Sequence, residues 1–147
     1  MIVITGASGF IGSNLVHALN ARGRHDLVLV DDLKDGHKFV NLAGATLADY
    51  YDWREFLPTF DQLARSGDGI EAVYHLGACS DTMEWDGQYM MSANFTYSRQ
   101  LLDACDLHGV PLIYASSASV YGLNAQCVEN PAYERPLNVY AFSKLAF

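Results

Sequence analysis

Three short stretches of this 147-residue chain carry residue types that can hold a nucleotide and move a proton. The first is Gly6-Ala7-Ser8-Gly9-Phe10-Ile11-Gly12, which follows the β-branched run Ile2 to Thr5 and precedes a segment of helical spacing. Glycines in that slot permit a tight turn, let a pyrophosphate approach backbone N–H groups, and let the helix pack close to the strand. Glycine-rich turns often serve only as connections, so position decides: the next apolar run ends in Asp31-Asp32, where a carboxylate meets the adenosine ribose. Asp31 would favour NAD and repel a 2′-phosphate, whereas Lys38, beside His37, can pair with that phosphate. The residues alone leave NAD and NADP open. The second stretch is Tyr140-Ala141-Phe142-Ser143-Lys144, with Tyr140 and Lys144 one turn apart on one helix face. A tyrosine ordinarily titrates at about 10, and an adjacent ammonium favours its phenolate, the form that can take a proton from a substrate hydroxyl. The third is Ser116-Ser117-Ala118-Ser119-Val120-Tyr121-Gly122, placed after a strand-like run so that a hydroxyl can bond the oxygen that Tyr140 deprotonates. Singly, a Tyr-x-x-x-Lys and a serine-rich turn mean little; together with the glycine loop they read as a catalytic set.

Smaller features fill in around these. His75-Leu76-Gly77-Ala78-Cys79-Ser80 ends another strand, and its small residues suit a backbone running close beside a cofactor. Cys79 has no base near it and reads as a lining residue, not a nucleophile. Asn94 lies within a long helical segment, where it can brace a neighbouring backbone. Asp49, with Tyr50, is placed to flank the adenine.

The elements that must position these residues alternate. Strands are expected over 2–5, 27–30, weakly over 45–48, over 72–76 and over 111–115. A helix is expected over 10–22, with Ile11, Leu15 and Leu19 on its core face and Gly23 as its stop. The stretch 33–44 reads as loop, and two short helical turns at 53–57 and 59–64 are expected to be separated by Pro58. One long helix should run from its cap at Asp86 to about His108, and another begins at Val139. Such βα alternation predicts a doubly wound, Rossmann-like parallel α/β sheet with helices on both faces, in a single domain over 1–147. Ligands then sit at the carboxyl ends of the strands.

Nine Lys and Arg against seventeen Asp and Glu leave a formal net charge of −8. So acidic a chain repels phosphate backbones and anionic lipid, which argues against nucleic acid or a membrane as partner. Three widely spaced cysteines, with no CxxC pair and no matching histidine cluster, give no metal site and are expected to be reduced thiols. No basic leader and no bilayer-length apolar run is visible, so a cytoplasmic protein is expected. With a helix still under way at Phe147, the chain reads as the front part of a longer protein.

Taken in order, GASGFIG, HLGA, SSASVYG and the Tyr140–Lys144 pair resemble the extended short-chain dehydrogenase/reductase superfamily, whose members work on nucleotide sugars. Further segments, DDLKDGHKFVNL at 31–42, GACS at 77–80, Glu84-Trp85-Asp86-Gly87 with Tyr89-Met90-Met91, and PLNVY at 136–140, are similar to its branch that epimerises an ADP-linked heptose. The resemblance implies a nucleotide-binding domain followed by a substrate domain that this chain lacks, tightly held NADP with NAD as the alternative, and a homo-oligomer, a pentamer by analogy. It further implies that Phe10, Ile11, Asp31, Lys38, Ala78, Cys79 and Ser80 line the cofactor. Tyr140 would be the acid/base, Lys144 would hold the nicotinamide ribose, and Ser117 would share the substrate oxygen. Implied too is transient oxidation and re-reduction at C6″ of the ADP-heptose, in lipopolysaccharide precursor synthesis, with a second acid/base lying beyond Phe147. Two departures stand out: Asp32 replaces a common asparagine, and Trp53, followed by Arg54, replaces a lysine used near the adenosine phosphate. Another nucleotide-sugar epimerase or dehydratase, or a cofactor-binding module without turnover, is the alternative.

Overall fold

Ile2–Thr5 is β1, four buried residues at the centre of a five-stranded, all-parallel sheet. The computed structural model describes Met1 to Phe147. Two compact units make up the chain, Met1–Gly77 with Leu101–Tyr114, and Ala78–Gln100 with Ala115–Phe147.

In the first unit the remaining strands are β2 (Leu27–Asp31), β3 (Asp49–Asp52), β4 (Ala72–His75) and β5 (Leu112–Tyr114), in the order β3-β2-β1-β4-β5. Strand order reverses at β1. With right-handed crossovers, helix α1 (Phe10–Ala21) therefore covers one face and α2 (Trp53–Arg65) the other, the doubly wound arrangement expected. Ile2, Ile4, Leu27 and Leu29 pack with Ala7, Val16 and Leu19 in one buried cluster. Val3, Val28, Val30 and Val73 alternate with these and are equally buried, so the strands read as continuous apolar runs.

Several local expectations change. The third strand is Asp49–Asp52, not 45–48: its Tyr50 and Tyr51 pair in register with Leu29 and Val30, and the preceding alanines only lead in. The two turns around Pro58 are one continuous helix, because Phe56 and Phe60, one turn apart and both buried, anchor the stretch on either side of the proline. Their rings meet edge to face at 5.8 Å, and this packing outweighs the one backbone hydrogen bond that Pro58 cannot make. The core face of α1 is Gly12, Ser13, Val16 and Leu19; Ile11 points outward. Part of the expected loop, Gly36–Leu42, is a 3₁₀ turn capped by Asp35.

In the second unit, α3 (Gly87–Met90) is capped by Asp86, whose carboxylate accepts the Tyr89 N–H at 3.0 Å. The long helix is not uniform: Met91–Thr96 forms a π turn between α3 and α4 (Tyr97–His108). Helix α5 (Val139–Ala146), capped by Asn138, packs on α3, on the π turn and on the 3₁₀ turn Ala118–Tyr121. No helix is long and apolar enough to cross a membrane.

Candidate functional site

The glycine loop is built by close approach. Gly6 sits at φ +67°, and a Cβ there would lie 2.6 Å from the Gly77 nitrogen, so the turns after β1 and β4 run backbone against backbone. A Cβ on Gly12 would lie 2.1 Å from the Gly6 carbonyl oxygen. Gly9 occupies the cap of α1 without a side chain to offer, and the first turn holds no acidic residue. The leading N–H groups of α1 thus lack both an intrahelical partner and a cap, the setting in which a helix N-terminus takes an anion. Phe10 and Ile11 flank it, 85% and 63% exposed. These features fit a dinucleotide pyrophosphate.

Asp31 ends β2, buried, with both oxygens engaged: Oδ2 accepts the Ser8 N–H at 2.8 Å and Oδ1 the Asp32 N–H at 2.7 Å. The carboxylate therefore ties the glycine loop to the next strand. Lys38 Nζ stands 3.7 Å from Asp31 and 3.9 Å from Asp32. Arg54 reaches Asp32 at 3.5 Å and Asp52 at 2.8 Å, its guanidinium 5.0 Å from the Trp53 ring centre. Two positive groups, both paired with aspartates, are thus gathered at the carboxyl ends of β2 and β3, partly exposed. Asp49 is not among them. It begins β3 in register with Val28, three residues and about 10 Å of strand rise from the end where Asp52 lies. Its neighbour Tyr50 is pushed up to about 12 by burial and by Asp31, Asp52 and Asp32. His75, expected beside the cofactor, is 1% exposed and bonds Thr5 instead.

In the second unit the Asn94 side chain contacts Cys79, Ser143 and, at 3.0 Å, Met90 Sδ from inside the π turn. Its Oδ1 accepts the Cys79 N–H at 2.8 Å, while Nδ2 donates to the Cys79 carbonyl at 3.0 Å and to Ser143 Oγ at 3.0 Å. Ser143 Oγ donates in turn to the Tyr140 carbonyl at 2.7 Å. One buried amide thereby braces the Ala78-Cys79-Ser80 backbone and the helix that presents Tyr140 and Lys144. Ser117 caps the turn that packs on α5, and its Oγ lies 2.7 Å from Ser119 Oγ. Tyr140 is half-buried and Lys144 is 5% exposed, which excludes a surface lysine.

Residues 2–147 match the model of the NAD dependent epimerase/dehydratase family. The chain belongs to that family. A curated relative, the ADP-L-glycero-D-manno-heptose-6-epimerase of Alkalilimnicola ehrlichii, is 57% identical over 148 aligned residues, covering 100% of this chain and 46% of its own length. Among solved structures, the ADP-L-glycero-D-manno-heptose-6-epimerase of Helicobacter pylori superposes with a TM-score of 0.85 at 30% identity, over 99% of this chain and 48% of that one. The UDP-glucuronic acid 4-epimerase of Bacillus cereus, in complex with NAD, gives 0.82 at 29% identity, over 99% and 49%. The chain therefore spans about half the length of these epimerases.

Sequence reasoning missed Thr5, Ser143 and the tie from Asp31 to Ser8. Ser143 carried a signal, standing three residues after Tyr140, where a hydroxyl reaches back to the helix carbonyl. Burial also gives Lys144 a measurable signature, since it holds the ammonium below its ordinary 10.5. Between that lowered value and 10.5 the unfolded chain binds the extra proton, so this residue makes stability rise as pH climbs through the window. Lys144→Met is expected to be the more stable protein at neutral pH, and its Tm advantage should shrink towards pH 10.5. A Tm difference that stays constant with pH would contradict this.

Proposed function

We propose that this chain carries the dinucleotide-binding and proton-transfer part of an NADP-using epimerase of ADP-L-glycero-D-manno-heptose, acting at C6″. The observation that carries the chemistry is the Tyr140–Lys144 pair on a helix pinned through Ser143 to Asn94. The identity to the Alkalilimnicola ehrlichii epimerase supports the substrate. A bound dinucleotide would supply a hydride acceptor that returns the hydride, so that no net oxidation occurs. Gly6, Gly9, Gly12 and the N-terminus of α1 would hold its pyrophosphate; Phe10, Ile11, Leu76, Gly77, Ala78, Cys79 and Ser80 would border it. Tyr140 Oη would take the proton of the C6″ hydroxyl on one face of the sugar, and the second acid/base that the family resemblance implies, outside residues 1–147, would serve the opposite face. Lys144 would hold ribose hydroxyls of that dinucleotide. Ser117 Oγ donates to the reacting oxygen.

Preference for NADP over NAD is supported by the engagement of Asp31. Its oxygens already serve Ser8 and Asp32, so its position in the loop does not depend on a ribose 2′-hydroxyl. Lys38 and Arg54 are at hand for a phosphate. Calorimetric titration with NADP and NAD in parallel tests this, and NADP is expected to bind more tightly. Lys38→Ala should weaken NADP about tenfold and NAD within about twofold. Tighter NAD, or equal losses for both, would refute the assignment. Interconversion of the two ADP-heptose epimers by the full-length protein tests the substrate, and turnover only of another nucleotide sugar would redirect it. A cytoplasmic homo-oligomer, with neither nucleic acid nor membrane as partner, completes the reading.

A further inference from the structure

We infer that His75 shapes the dinucleotide site without touching it, as a neutral imidazole whose Nδ1 accepts the Thr5 hydroxyl proton and so fixes the approach of Gly77 to Gly6; this rests on the dinucleotide-binding reading above. Thr5 and His75 are the last residues of β1 and β4 and are register partners in the parallel sheet. The pairs before them are Ile2 with Ala72, Val3 with Val73, and Ile4 with Tyr74. At the last rung, where an apolar pair would pack at no desolvation cost, two polar side chains stand 1% exposed each, with Thr5 Oγ1 2.6 Å from His75 Nδ1.

The direction of that bond follows from the second contact of the hydroxyl. Thr5 Oγ1 lies 3.0 Å from the Gly77 nitrogen, and a backbone N–H can only donate. The oxygen therefore accepts from Gly77; it could accept a second bond, but its own proton needs an acceptor too, and His75 Nδ1 at 2.6 Å is the one that stands against it. Nδ1 must then carry a lone pair, which places the ring proton on Nε2. An imidazolium would turn an N–H towards the hydroxyl and leave the threonine proton without an acceptor in a buried place. The relay runs from the Gly77 N–H through Thr5 Oγ1 to His75 Nδ1.

What this holds is the close approach of the Gly77 backbone to the start of the glycine loop. A Cβ on Gly77 would meet the Gly6 nitrogen at 2.9 Å and Thr5 Oγ1 at 3.0 Å, so the Gly77 backbone cannot shift without moving Gly6. Gly6 in turn bonds the Val30 carbonyl at 2.8 Å and accepts the Gly9 N–H at 3.1 Å, so its position sets the whole turn. A valine or leucine at 75 would fill the volume but orient nothing. His75 is thus a positioning residue.

Three measurements on the intact protein test this. In ¹⁵N-labelled protein at about pH 7 the His75 ring should show a bare Nδ1 and a protonated Nε2. Thr5→Val and His75→Phe should each weaken dinucleotide binding about tenfold and speed hydrogen exchange at the Gly77 amide. Thr5→Ser keeps the hydroxyl and His75→Asn keeps an acceptor near the Nδ1 position, so both should bind within about twofold of wild type. A protonated Nδ1, or Thr5→Val binding as wild type does, would overturn the assignment. If His75→Phe fails to fold, the Val and Ser variants at Thr5 still decide. A wild type that binds neither dinucleotide would sink the functional reading instead, while ring tautomer and Gly77 exchange would still report on the relay.

Discussion

Tyr140→Phe, in the full-length protein, is expected to cut interconversion of the heptose epimers about 10³-fold while dinucleotide affinity stays within about twofold. The substitution removes one oxygen and keeps the ring. What Tyr140 contributes to the framework is its backbone: its carbonyl accepts the Ser143 hydroxyl at 2.7 Å, and phenylalanine accepts that bond equally well. The cap of α5 belongs to Asn138, whose Oδ1 accepts the Ala141 N–H at 2.8 Å. The side chain is half-buried, so stability should change by no more than about 0.5 kcal/mol. A proton-transfer group lost at the reacting oxygen removes a factor of about 10² to 10⁴, and no other phenol is presented by α5. Interconversion at the normal rate would refute the assignment. An equal loss of dinucleotide binding would make Tyr140 a binding residue instead.

The sheet was legible because parallel strands buried on both faces must be apolar throughout, and 2–5 and 27–30 are. Asp49–Asp52 escaped because its two tyrosines lie between aspartates, while the alanine-rich stretch before it looks more apolar and only approaches the sheet. Pro58 reads as a break because propensity speaks for the backbone alone; the Phe56 and Phe60 rings speak for the packing. The π turn left no trace, since Met90, Asn94, Tyr97, Leu101 and Cys105 are spaced as on an ordinary helix face. At the site, the glycine trio, Asp31 and the Tyr140–Lys144 pair were readable from type and spacing. Which way a polar residue points at a strand end was not, and so His75 looked like a cofactor contact when it faces Thr5. Spacing puts Lys144 beside Tyr140 but not at its depth: that its ammonium is buried follows only from how the helix packs.

Gly12→Ala sets two local rules against each other and shows which one governs the loop. Helix propensity favours the change by about 1 kcal/mol, since alanine gives up less backbone freedom than glycine. Close packing opposes it. The new Cβ would lie 2.1 Å from the Gly6 oxygen and 2.8 Å from the Ala7 Cα, and both are backbone atoms with no rotamer to change. Helix α1 must therefore lift away from the end of β1, which costs about 1–3 kcal/mol, more than propensity returns. The lift also displaces the uncapped N–H groups proposed to hold a pyrophosphate, so dinucleotide binding should fall by about 100-fold or more. Gly36→Ala is the control. Nothing lies within 4 Å of a Cβ there and its backbone is of an ordinary kind, so stability should hold within about 0.5 kcal/mol. If Gly12→Ala proves as stable as Gly36→Ala and still binds the dinucleotide, the glycines are a connection and the anion is held elsewhere. If it unfolds earlier and binds nothing, the fold and the cofactor site share one constraint: the width of a single carbonyl between strand and helix.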